Sequence, residues 1–169
     1  MNATAISSGL ALMLAVASPA MAQTTQSHAD HPAAPASENV DVPAAASAAV
    51  AVAERFGTAL SSGDLATVGS LLAPDVLILE SGGAERSREE YLGHHAISDA
   101  AFLKDAHRQP LRQRARAAGE FAWVGTESEL HAQKDGKPLT VQSTETMVLK
   151  QTADGWRIVH IHWSSRTKR

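Results

Sequence analysis

Three short interruptions, Gly119, Asp135-Gly136 and Asp154-Gly155, divide the last third of the chain into segments near 107–117, 121–133, 139–151 and 156–164. Each segment is strand-like in composition. Asp-Gly is the dipeptide that a two-residue hairpin favours, because both central residues of a type I′ turn take positive φ. The four segments therefore predict an antiparallel meander. Such a sheet has an apolar face to cover, and the preceding residues supply the cover. Val52, Phe56, Ala59 and Leu60 recur at helical spacing, and "SSGD" stops that helix. Asp64 caps a second helix carrying Leu65, Val68, Leu71 and Leu72, with Pro74 past its end. "DVLILES" alternates, with Val76, Ile78 and Glu80 on one face and Leu77 and Leu79 on the other. "SGG" turns the chain. "SREE" is a capping box, Ser87 as N-cap and Glu90 three residues on, opening a third helix that runs to about Leu103. The predicted fold is α+β: a curved antiparallel sheet with three helices packed on its concave face.

The 169 residues suffice for one domain. Residues 1–22 are expected to be a signal peptide: an apolar run from Leu10 to Ala17, then Pro19, then the small-x-small site Ala20-Met21-Ala22. That run is too short to span a bilayer. Its N-terminal flank lacks Lys and Arg, which keeps a membrane anchor as the rival reading. Cleavage implies a periplasmic or secreted protein with no membrane partner afterwards. Residues 23–46 are Ala-, Pro- and Ser-rich and read as a disordered tether, leaving 47–169 as the domain. In the tether, His28, Asp30 and His31 form a tract able to hold copper or zinc weakly. The absence of cysteine excludes disulfides and a lipoprotein anchor. A net charge of -3 without a clustered basic face argues against nucleic acid as a partner. Arg112, Arg114 and Arg116 alternate along one strand face, as charges guarding a sheet edge or as an anion site.

Three stretches, "ALSSGDLATVGSLLAPDVLILES", "RSREEYLGHH" and "DGWRIVHIHWSS", carry a resemblance over nearly the whole domain. The chain resembles the nuclear transport factor 2-like superfamily, the cystatin-like cone fold shared by ketosteroid isomerase and the SnoaL-like proteins. "GKPLTVQSTETMVLKQTADGWRIVHIHWSS" most resembles the association domain of calcium/calmodulin-dependent kinase II. The resemblance to the isomerase implies a general base at Glu80, five residues after Asp75 at the strand's start. The isomerase's first-helix tyrosine, an oxyanion donor, corresponds to Phe56, which has no hydrogen to donate. The arginines lining the hub's pocket correspond to Gly125, Met147 and Trp163. The fold itself hosts isomerases, dehydratases, hubs and binding proteins.

Within that frame Glu80 and His95 are the candidate catalytic residues. A carboxylate facing an apolar cavity loses hydration, so its pKa rises and it can take a proton near neutral pH. Tyr91, His95 and Asp99 lie four residues apart on the predicted third helix, with Asp99 placed to orient the imidazole. His94 falls one step round, on the exposed side. Glu145, Met147 and Trp163 are expected to line the pocket, with Trp123 as an apolar wall. His160 and His162 share a strand face with Trp156 and Ile158, opposite Val159, Ile161 and Trp163. If Trp163 lines the cone, the two histidines serve an interface or a hydrogen bond; otherwise they are metal candidates. The expected ligand is a small apolar molecule, with no cofactor required and a homodimer as the assembly. A non-catalytic oligomerising module and a periplasmic metal binder are the alternatives.

Overall fold

The computed structural model describes residues 39–168. The expected signal peptide, most of the expected tether and the tract of His28, Asp30 and His31 lie outside the described residues. The elements are β1 (Val40–Asp41), a 3-10 helix (Ala44–Ala46), α1 (Ser47–Ser62), α2 (Leu65–Leu71), β2 (Leu72–Glu80) and β3 (Gly83–Glu85). There follow α3 (Arg88–Gly93), α4 (His95–Lys104), β4 (His107–Ala118), β5 (Phe121–Lys134), β6 (Lys137–Thr152) and β7 (Gly155–Thr167). The strands form one curved, unclosed sheet in the order β1-β4-β5-β6-β7-β2-β3.

The meander breaks where the sequence predicts, although at Asp154-Gly155 only Gly155 (φ 103) takes positive φ and the turn falls on Ala153 and Asp154. Asp135 (φ 52) and Gly136 (φ 72) both take the left-handed conformation that a type I′ hairpin needs. Each of the pairs β4–β5, β5–β6 and β6–β7 is antiparallel. The sheet is not antiparallel throughout: β2 joins β7 in parallel, and β1 joins β4 in parallel. No hairpin links β2 to β7, so the long crossover through α3, α4 and four strands permits the parallel direction.

Other boundaries also depart from the sequence pattern. Val40–Asp41 and Ala44–Ala46, expected in the tether, are ordered, and Ala46 is buried in the core. Their anchor is Arg116, which donates to Asp41 Oδ1 at 3.0 Å and Oδ2 at 2.7 Å. The third helix is two helices. It breaks at His94 (φ -134, ψ -89), directly after the weak helix former Gly93. His94 N–H closes the last turn of α3 onto the Tyr91 carbonyl at 3.2 Å.

β7 holds a bulge. Ile158 pairs with Leu149 and His160 with Val148, so two steps of β7 span one step of β6. Alternation restarts after Val159, and Ile158 ends on the same buried face as Ile161. Trp156 packs against that core as well, rather than sharing the outer face with His160 and His162. The core lies between the sheet and the helices, built from Phe56, Leu60, Val76, Ile78, Tyr91, Met147, Leu149, Ile158 and Ile161 among others. Burying each of these larger side chains stabilises the fold by roughly 1.5–3 kcal/mol.

Candidate functional site

At the end of β2 the chain turns through Ser81 (φ 46) and Gly82 (φ 88) into β3. Ile78 then pairs with Glu85, and Glu80 with Gly83. Because cross-strand partners share a face, Glu80 and Glu85 both point to the inner side, where Val76 and Ile78 are buried. Helices α3 and α4 close over this corner and add three side chains. Tyr91 is wholly buried, and its hydroxyl donates to Asp99 Oδ2 at 3.0 Å. His95 bonds through Nδ1 to Oε1 of Glu85, which is 5 % exposed. Tyr91 and Asp99 thus meet despite the helix break, but the partner of His95 is Glu85 and not Asp99.

The electrostatics follow from this crowding. Burial raises the pKa of Glu80, and the negative charge of Asp99 raises it further, against the pull of His95. Asp99 is also raised, chiefly by burial, although the Tyr91 hydrogen bond opposes the shift. Burial and the Asp99 carboxylate drive the Tyr91 phenol far above its ordinary value, so it stays a donor. The hydrogen bond and charge of Glu85 raise His95. One corner therefore assembles a carboxyl able to take up a proton, a second beside it, a fixed donor and an imidazole that favours its charged form.

Register explains the neighbouring residues. Glu80, Trp163 and Glu145 stand in one row across β2, β7 and β6. Trp163 donates its indole N–H to Glu145 Oε2 at 2.8 Å, and Arg108 lies 3.9 Å from the other oxygen. Glu145 thus serves the tryptophan, and its Cα is two strand spacings, roughly 10 Å, from that of Glu80. Trp163 itself lies between Phe56 (6.3 Å between ring centroids) and Tyr91 (6.1 Å). With Met147 fully buried alongside Ile161, side chains occupy the place of the expected apolar pocket. Two members of the cluster, Glu85 and His95, instead border a cleft of about 380 Å³ that Ala84, Glu90 and His94 complete.

Trp123 is not a wall of this site. Ala122 and Val124 take the inner positions on β5, so alternation turns Trp123 to the outer face, where it is 40 % exposed. His160 and His162 also look outward. His160 Nδ1 donates to the Leu77 carbonyl at 2.8 Å, and the two rings sit 6.5 Å apart. Among the described residues no group of three or more His, Cys, Asp or Glu is placed to hold a metal ion. Glu85 is the residue the sequence pattern missed. The signal was present in "ESGGAE", where a two-residue turn between acidic positions predicts a short return strand.

A curved, unclosed sheet covered on one face by helices is the cystatin-like fold of the nuclear-transport-factor-2-like class. Residues 49–167 match the SnoaL-like domain family, and the chain belongs to it. Among solved structures it is similar to a protein from Shewanella frigidimarina provisionally described as a ketosteroid isomerase, at 36% identity and TM-score 0.66. That match covers 72% of this chain and 98% of the other. The calcium/calmodulin-dependent kinase II hub of S. rosetta shares the fold at 22% identity and TM-score 0.65, covering 74% of this chain and all of its own (100%). A protein from Streptomyces avermitilis provisionally described as a dehydratase shares it at 18% identity and TM-score 0.59, covering 71% and 95%. No curated protein matches the sequence significantly.

Proposed function

We propose that this chain is an exported SnoaL-like protein that binds a small, largely apolar molecule at the cone mouth. There it catalyses an isomerase- or dehydratase-type proton transfer, with Glu80 as base and His95 assisting. The observation carrying this reading is the corner itself: Glu80, half-buried beside Asp99, with its proton affinity raised by burial. A carboxylate whose proton affinity is raised is a stronger base for abstraction of an activated C–H proton. Trp163, the cross-strand neighbour of Glu80, gives an apolar surface beside it. The likeness to the Shewanella protein supports the reaction class. The test is Glu80→Gln in ligands found by thermal-shift screening. Turnover should fall at least a hundredfold with binding retained, and unchanged turnover removes Glu80 from the mechanism. Export is tested separately, by cell fractionation and N-terminal sequencing, with a mature chain beginning at Gln23 as the expected result.

A second reading, an oligomerising module and in the first instance a homodimer, is favoured by the outer sheet face. Leu77, Phe121 and Trp123 are 39 %, 44 % and 40 % exposed there, next to His160. Apolar side chains grouped on one sheet face are the surface a second copy would cover. Light scattering at micromolar concentration decides it, since a monomer removes this reading.

A further inference from the structure

Glu85 has no place in the chemistry described so far, yet it is the most buried carboxyl of the corner, and its bond is to an exposed residue. Its side chain is 6% accessible, whereas that of His95 is 53%. The bond engages Nδ1, so the opposite ring nitrogen, Nε2, points away from the buried carboxyl, and the half-exposed ring borders the cleft. Among the described residues Nε2 has no partner. A carboxylate at one nitrogen selects the Nδ1–H form and leaves the proton on Nε2 as the one to be exchanged. The other charged groups near the ring are Glu80 on β2, Asp99 on α4, and Glu90 and His94 on the cleft wall.

We propose that Glu85 is the positioning residue of the site, holding His95 by Nδ1 so that Nε2 delivers a proton to the substrate oxygen while Glu80 removes one from carbon. This rests on the proton-transfer reading above and deepens it. In a dehydration of a neutral β-hydroxy ketone the step balances. The Glu80 carboxylate takes the proton from the carbon next to the carbonyl, and that C–H pair becomes the new C=C bond. The C–O bond breaks, and the departing hydroxyl leaves as water with the Nε2 proton. The converging carboxylates at the mouth favour neutral over anionic substrates. A purely structural tie between β3 and α4 would need the hydrogen bond but not the charge, and the two roles are therefore separable.

The experiment compares wild type, Glu85→Gln, Glu85→Asp, His95→Gln and Glu80→Gln in two arms. In the first, imidazole nitrogen NMR follows His95 against pH. The expected result is that Nε2 loses its proton first, at a pH above that of a free histidine, and that E85Q lowers this titration by about one unit or more. Retention of the proton on Nε2, or an unmoved titration in E85Q, overturns the proposal. In the second arm, dehydration of 4-hydroxy-4-phenylbutan-2-one is followed by the absorbance of the enone. E85Q should lose at least tenfold in kcat/KM, and its alkaline limb should move to lower pH, with E85D recovering part of both. If E80Q abolishes turnover while E85Q and H95Q match wild type, the proposed function stands and this inference falls. If wild type shows no turnover, the proton-transfer reading loses its support, and the NMR arm alone decides the Glu85–His95 arrangement.

Discussion

At the scale of single residues, the cone mouth is a place where the fold accepts instability. A carboxyl whose pKa is raised on folding contributes stability below its unfolded value and loses that contribution as pH rises through the folded value. Glu80 and Asp99 are both raised, from starting values of 4.5 and 3.8, so each weakens the fold as pH climbs from acid toward neutral. His95 has the same sign: its contribution is complete below its ordinary value of 6.5 and is lost through the higher folded one. Glu80→Gln should therefore stabilise the protein near neutral pH by roughly 0.5–2 kcal/mol, the usual gain when a group kept for function is replaced. The gain should vanish in acid, and urea melts across the pH range would show it. Tyr91→Phe acts in the opposite direction. It removes the hydroxyl that Asp99 accepts from and leaves a buried carboxyl short of a donor, at a cost of about 1–3 kcal/mol. Chemical denaturation, with m unchanged, is the check.

At the scale of elements, caps and turns are where local chemistry decided the outcome. Asp64 accepts from Thr67 N–H at 2.9 Å, and Ser87 from Glu90 N–H at 3.0 Å, both as their positions predict. The capping box closes one residue early, since Glu90 Oε2 accepts from Arg86 N–H at 2.7 Å and not from Ser87. Ser87→Ala should cost about 1 kcal/mol. Because α3 carries Tyr91, the substitution should also raise amide exchange at Tyr91 before the core exchanges. Equal protection in variant and wild type would separate the cap from the site. The break at His94 and the bulge at Val159 were not legible. Gly93 lowers helix propensity without forbidding helix, and "RIVHIHW" alternates cleanly until a neighbouring strand of fixed register meets it. The stripe of Tyr91, His95 and Asp99 requires one continuous helix, and the chain breaks at His94. Tyr91 and Asp99 meet only because the two short helices pack onto the same corner.

For the whole molecule, two tryptophans of the same sheet, on β5 and β7 either side of β6, have opposite meanings. Trp163→Ala should cost about 3 kcal/mol or more, because Phe56 and Tyr91 would face the void. Trp123→Ala, on the outer face, should cost under about 1 kcal/mol. If copies associate through that face, it should instead abolish association, read by light scattering beside the melts. What the amino-acid order alone determined were most of the elements: four strands cut by Gly and Asp-Gly, helices opened by Asp64 and Ser87, and Glu80 turned inward. Turn geometry and hydrophobic period are properties of a few adjacent residues, so they can be read without knowing what lies across the core. Only the tertiary structure decided that β2 runs parallel to β7, that the hollow is filled by Trp163, and that Glu85 rather than Asp99 holds His95. Each of those depends on which distant segments compete for one buried surface, and packing density settles that competition where local preference is silent.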